Sequence, residues 1–223
     1  NCHNMLKYVQ GKKTPLVFLN SDSSITEVAE LGGDTKPTEE NFAKTLALAK
    51  ACCESNTRLI FSSSAAVYGN TKEIPTSESA QKEPTNPYGM SKFVSEQYLS
   101  LFSQLYDLDC VCLRYFNVYG PRQKGNSPYS TALSAWCNKA LNGLQLRSDG
   151  DGNQTRDLIH VYDIVSANIH VLEKSLKGFS VFNVGTENPT SNNEILNYFA
   201  SKGYTDIVQK PERLGDIKHS LSN

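Results

Sequence analysis

Two hydroxyls and an amine are spaced for work on an alcohol. Ser64 closes the apolar run Leu59-Ile60-Phe61-Ser62-Ser63-Ser64, and Tyr88 and Lys92 follow in Tyr88-Gly89-Met90-Ser91-Lys92. On a helix, residues four apart share a face, so phenol and ammonium would lie side by side. A phenol titrates at about 10, and a neighbouring ammonium favours the phenolate, bringing it closer to general-base work near neutrality. With Ser64 to hold the substrate oxygen, the three suit oxidation and reduction at the hydroxyl of a sugar or a similar substrate.

Tyr-x-x-x-Lys alone carries little weight, because the chain has it four times, at Tyr8/Lys12, Tyr68/Lys72, Tyr88/Lys92 and Tyr198/Lys202. Gly11 interrupts the first; Gly69, Asn70 and Pro75 break up the second. The fourth falls at the end of a late helix with no serine-bearing strand before it. Only Tyr88/Lys92 combines a helical context with an upstream strand that ends in hydroxyls.

The elements that must position these groups alternate short apolar runs with stretches of helical period, which predicts an α/β chain with a parallel sheet. Strands are expected at 16–19, 58–63, 110–116 and 179–184. Helices are expected at 38–53, 87–106, 129–141, 163–176 and 192–200. Pro87 suits a first helical turn, with Thr85 or Asn86 as its cap. Gly143 and Gly203 stop two of the later helices. A boundary near residue 125 would divide residues 1–125, carrying the site, from residues 126–223.

Composition narrows the setting. With 22 basic and 23 acidic residues, no net field draws the chain to nucleic acid or an anionic membrane, so an anionic ligand must be held by a few placed cations. The six cysteines form no C-x-x-C pair and the four histidines are scattered, which predicts no metal site and reduced thiols in the cytoplasm. No apolar stretch reaches membrane-spanning length, and Asn1 to Lys7 has no signal-peptide character.

Four strings in order carry a family resemblance: FSSSAAVYG at 61–69, PTNPYGMSK at 84–92, LRYFNVYGPR at 113–122 and GDGNQTRD at 150–157. Together they resemble the NAD-dependent epimerase/dehydratase branch of the extended short-chain dehydrogenases, over roughly residues 57–222. The resemblance implies a Rossmann-like doubly wound parallel sheet, N-terminally truncated, with a small C-terminal α/β region for a nucleotide sugar. Members that dehydrate carry an acidic pair after the serine or threonine. Here Ala65 and Ala66 occupy those places, and the run from Leu214 to Leu221 likewise resembles the UDP-hexose 4-epimerases.

What the resemblance implies for the residues is specific. Tyr88 would take the proton of the sugar 4-hydroxyl, Ser64 would hold O4, and Lys92 would bind the nicotinamide ribose of NAD. Asn41, Ser62 and Tyr115 would lie along the cofactor, with Phe116 beside Tyr115, and Asn117 on the substrate side. Arg156 and Arg213 would grip the diphosphate, since guanidinium forks match phosphate oxygens, with Asp216 as their partner or that of the ribose. A small residue at Ser220 would admit an N-acetyl group, implying UDP-N-acetylglucosamine as well as UDP-glucose. The helices at 38–53 and 87–106 would form the four-helix bundle of a homodimer.

The family's glycine-rich turn, whose amides and helix N-terminus hold the cofactor pyrophosphate, has no counterpart in these 223 residues. Strand 16–19 matches the family's fourth. A fragment of a longer product and a shortened relative both fit. The functions left open are a UDP-hexose 4-epimerase, a non-catalytic nucleotide-sugar-binding or pairing module, and a decarboxylase or reductase of the same branch.

Overall fold

The computed structural model describes residues 17–19, 36–126, 130–212 and 217–223, with backbone alone at 17–19 and 36–41. Along the chain run Val17–Leu19 (β1), Lys36–Glu54 (α1), Leu59–Ser64 (β2), Pro87–Tyr106 (α2), Cys110–Tyr115 (β3) and Asn117–Tyr119 (β4). Then come Ala132–Leu141 (α3), Leu146–Asp149 (β5), Thr155–His160 (β6), Val161–Glu173 (α4) and Phe179–Val184 (β7). Pro189–Ser191 (β8), Asn192–Ser201 (α5), Ile207–Lys210 (β9) and His219–Ser220 (β10) complete the order.

A parallel sheet in the order β1-β2-β3-β7 positions the site. Its strands are apolar on both faces because each face is covered by helices. Leu59, Phe61, Cys110 and Cys112 point to one side and pack on Ala49 and Cys52 of α1 and Leu99 of α2. Ile60, Val111 and Leu113 alternate to the other side and pack on Val171 of α4. Burial of each such Leu, Ile or Phe side chain stabilises the fold by about 1.5–3 kcal/mol. Burial also pushes the Cys52 thiol up to about 11, with Cys110 and Cys53 adding to the effect, so this core cysteine stays protonated and unreactive.

Local chemistry sets the helix ends. The Asn86 side chain accepts from the Gly89 amide with Pro87 just inside the first turn, so α2 starts and ends where the sequence predicts. Thr131 caps α3 through the Ser134 amide, which moves its start to Ala132, later than expected; Tyr129 lies outside the described residues. Helix α4 runs from Val161 to Glu173 and not from 163 to 176. His160 caps it early, and at the far end Arg58 draws the Lys174 carbonyl into a 2.6 Å bond as the backbone turns extended. Leu176 still packs on the sheet.

A second layer builds the wall opposite the sheet's carboxyl ends. Strand β6 lies between β4 and β10, parallel to both, with β8 antiparallel to it, while β5 pairs with β9. Trp136, Leu146, Leu196 and Phe199 form its core, and the Trp136 indole donates to the Arg147 carbonyl at 2.7 Å. The chain crosses the boundary expected near residue 125 more than once, because α4 packs on the first sheet and β7 extends it.

Fully buried Asp157 joins the layers. Its carboxylate accepts from the amides of Thr186, Glu187 and Ser222 and from the hydroxyls of Thr186 and Ser222, at 2.6–3.2 Å. Thr76 then bridges to the same stretch, donating its amide to the Leu221 carbonyl and accepting from the Asn223 amide.

Candidate active site

At the carboxyl end of β2 the chain turns sharply through a 3-10 turn, Ala65–Tyr68, capped by Ser64, whose Oγ accepts from the Ala66 amide at 3.1 Å. Gly69 ends the turn at φ 60, and a side chain there would run into the Glu83 carbonyl. The first turn of α2 rests on this corner. A Cβ at Gly89 would stand 2.5 Å from the Ala66 carbonyl oxygen, so only glycine lets the helix come this close.

That contact sets Tyr88 and Lys92 beside the strand. Lys92 is buried, and its Nζ donates to the Ser62 carbonyl at 2.8 Å. The same ammonium lies 5.7 Å from the centroid of the Tyr88 ring and 5.0 Å from that of Phe61. The phenol and ammonium are therefore neighbours, on the helix that abuts the turn opened by Ser64.

In front of this corner is a cavity of about 210 Å³. Ser64, Tyr115, Asn117, Arg156 and Ser220 all line it, together with Asn86 at the start of α2. The parallel strands explain the convergence. Ser64 is in register with Tyr115, and Ser220 with Arg156. The Arg156 guanidinium donates to the Thr155 and Lys218 carbonyls, and the residue also borders a second cavity of about 520 Å³ walled by Trp136, Arg147, Gln154 and Asn192. Ser62 bonds to the Tyr115 hydroxyl, which also bonds Asn168 of α4.

Of the other expected positions, Asn41 lies on α1 with its side chain outside the described residues. Arg213 and Asp216 lie outside them altogether. Among the described residues no cluster of His, Cys, Asp and Glu could hold a metal ion, and no helix is long and apolar enough to cross a membrane.

Other cavity residues are not singled out by the sequence patterns, among them Tyr68, Thr71, Thr76 and His219. Tyr68 stands in the FSSSAAVYG string and in the Tyr68/Lys72 spacing, where Gly69, Asn70 and Pro75 argue against a shared helical face. Burial raises the phenols of Tyr68 and Tyr115 above their ordinary value despite their polar partners, so neither competes for the role of base.

Behind the site is a buried polar cluster that the sequence did not suggest. The Glu96 carboxylate pairs with Arg114 through two bonds, Nε to Oε1 at 2.9 Å and Nη2 to Oε2 at 2.6 Å, and also accepts from Ser63. Arg114 further donates to the Tyr68 hydroxyl and the Glu78 carbonyl, and Tyr68 donates to Asn183. Burial works against the Arg114 charge, but Glu96 outweighs it and keeps the guanidinium firmly protonated.

A parallel sheet with its polar groups gathered beyond the strand ends defines a ligand-binding α/β protein of the doubly wound kind. The model of the NAD dependent epimerase/dehydratase family matches residues 28–185, and the chain belongs to that family. It is 36% identical over 188 residues to a UDP-glucose 4-epimerase of Mycolicibacterium smegmatis, covering 81% of this chain and 58% of that protein. Among solved structures, a UDP-N-acetylglucosamine 4-epimerase from Methanobrevibacter ruminantium in complex with UDP-N-acetylmuramic acid superposes with a TM-score of 0.82 at 36% identity, covering 97% of this chain and 69% of that one. A Thermus thermophilus UDP-glucose 4-epimerase in complex with NAD superposes with a TM-score of 0.79 at 26% identity, covering all of this chain and 73% of that one. The chain spans about half the length of the curated relatives it matches.

Proposed function

We propose that this chain carries the catalytic corner of an NAD-dependent UDP-hexose 4-epimerase, acting on UDP-glucose and UDP-N-acetylglucosamine. The carrying observation is the Lys92 ammonium held on the Ser62 carbonyl beside the Tyr88 ring, next to the cavity that Ser64 lines. Tyr88 removes the proton of the sugar 4-hydroxyl, Lys92 stabilises the phenolate, and Ser64 donates to the oxygen as it becomes a carbonyl. After the 4-keto sugar turns over and presents its other face, Tyr88 returns the proton to O4. Bound NAD supplies the hydride acceptor and donor at C4.

The residues present fit the nicotinamide end of that cofactor. Ser62 and Tyr115 stand toward the carboxyl ends of parallel strands, where open α/β sheets bind ligands, and Lys92 reaches them from α2 through its bond to Ser62. With Asn41 they form the cofactor side. Asn117, Arg156 and Ser220 form the sugar-diphosphate side, joined in this reading by Arg213 and Asp216. In this reading residues 1–125 supply the cofactor side and, through Ser64 and Asn117, part of the nucleotide-sugar side, which residues 126–223 complete. Ala65 and Ala66, which carry no acid to expel water, favour epimerisation over dehydration.

The test is product analysis of the purified chain supplied with NAD and each UDP-sugar. Conversion at C4 of both sugars is expected, with Tyr88→Phe slowing it by about 10²–10⁴-fold. Ser220→Tyr should abolish conversion of the N-acetylated sugar alone. Binding of UDP-glucose without NAD retention or turnover would sink the enzyme in favour of a nucleotide-sugar-binding module, and a decarboxylated or reduced product would name a different reaction of the branch.

A further inference from the structure

We infer that the buried Glu96–Arg114 pair is a positioning device that holds the Tyr88–Lys92 helix in register with the strand presenting Ser64. This rests on the function proposed above and assigns work to residues that function leaves unused. Glu96 follows Lys92 by one helical turn, so both face the sheet. Lys92 grips Ser62 through its backbone, and Glu96 grips Ser63 through its hydroxyl. The helix is thus fastened at two successive residues of the strand that ends in Ser64.

Arg114 extends the fastening sideways. It stands opposite Ser63 on β3, next to Tyr115, and opposite Asn183 on β7. Its guanidinium takes both carboxylate oxygens of Glu96, the Tyr68 hydroxyl and the Glu78 carbonyl, so one side chain links α2, the turn after Ser64 and the loop behind it. Its planar fork makes these bonds in fixed directions, which an ammonium could not.

Fixing a base against a strand to a fraction of an ångström is where such a pair acts on rate, since a misplacement of about 1 Å can cost roughly 100-fold. Stability alone is a poor explanation, because buried ion pairs are often replaceable by apolar or neutral groups at no loss. Glu96 and Arg114 therefore act through Tyr88, Lys92 and Ser64 without touching substrate.

The experiment compares wild type, Glu96→Gln, Arg114→Met and the double variant by melting temperature and by kcat and KM for UDP-glucose with NAD added. Each single change strands a buried charge and should lower the melting point. The double variant strands none and should regain most of it, while kcat stays roughly 10- to 100-fold down and KM holds within about twofold. Recovery of kcat together with the melting temperature overturns the proposal, since a merely structural pair would restore both.

If the double variant does not fold, Ser63→Ala decides: it removes a single contact, and an unchanged kcat overturns the proposal, whereas a selective fall in kcat supports it. If wild type turns over neither UDP-sugar, the proposed function fails by itself. A crystal structure of the double or Ser63→Ala variant then settles the positioning. Opening of the 2.8 Å contact between Lys92 and Ser62 beyond about 3.5 Å supports it, and retention overturns it.

Discussion

A lysine ammonium inside a protein has to be held, and Lys92 is held by the strand it serves. Its bond to the Ser62 carbonyl and its place beside two aromatic rings offset the cost of taking the charge out of water. Lys92→Met would leave that carbonyl without its donor and remove the cation beside Tyr88. Lys92→Arg keeps the charge but brings a planar fork into a space built for a point donor. Both variants are expected to lose turnover by at least about 100-fold, and steady-state kinetics showing near-wild-type activity for Lys92→Arg would refute the tight fit. The pairing of Tyr88 with Lys92 was legible from spacing. The Glu96–Arg114 pair was not, because its partners sit 18 residues apart on different elements and each reads alone as an ordinary surface charge.

At the scale of elements, Gly89 gives a test with opposing terms. Ala is worth up to about 1 kcal/mol more than Gly within a helix. Here its Cβ would meet the Ala66 carbonyl oxygen at 2.5 Å, so the helix must move off the turn. Gly89→Ala is expected to lower the melting temperature in spite of propensity and to reduce kcat. A stabilised, fully active Gly89→Ala would mean that the corner is slack.

The β3–β7 seam makes a prediction in pH. Burial raises the Asp109 carboxyl, but the Lys177 ammonium and the Gly178 amide outweigh it and hold it below its ordinary value. A carboxylate depressed by folding stabilises above its unfolded value, about 4, and loses that contribution as pH falls through the folded one. Asp109→Asn should therefore melt lower than wild type at pH 7, with the gap closing below about pH 4 in paired thermal scans. A gap that persists in acid would assign the effect to shape and not charge.

Legibility followed the range of the forces involved. The starts of α2 and α5 could be read because Asn86, Pro87 and the Ser191–Glu194 capping box act within a few residues. Strands β4, β5, β8, β9 and β10 have 2–4 residues each and are defined by distant partners, such as Leu146 opposite Ile207. No local pattern announces them.

For the molecule as a whole, the helices on the outer face of the sheet suggest its assembly. Helix α1 packs along α2, with Phe42 edge-on to Tyr98 at 5.0 Å. Yet α2 still exposes Leu101 at 45% and Leu105 at 61%, four residues apart and on one face. A homodimer joined through α1 and α2 as a four-helix bundle would cover them. Leu101→Glu with Leu105→Glu should convert a dimer to a monomer in sedimentation velocity while leaving the melting of the monomer little changed. A wild type that sediments as a monomer at every concentration would refute the pairing.

The carboxylate of Asp157 has one more consequence. It gathers the amides of positions 186, 187 and 222 into a single knot, and Ser222 lies two residues past Ser220 in the cavity wall. Deuterium can enter the Ser222 amide only when that knot loosens, so its exchange rate reports how often the cavity wall at Ser220 parts from the strands, in a segment where fast exchange would otherwise be the rule.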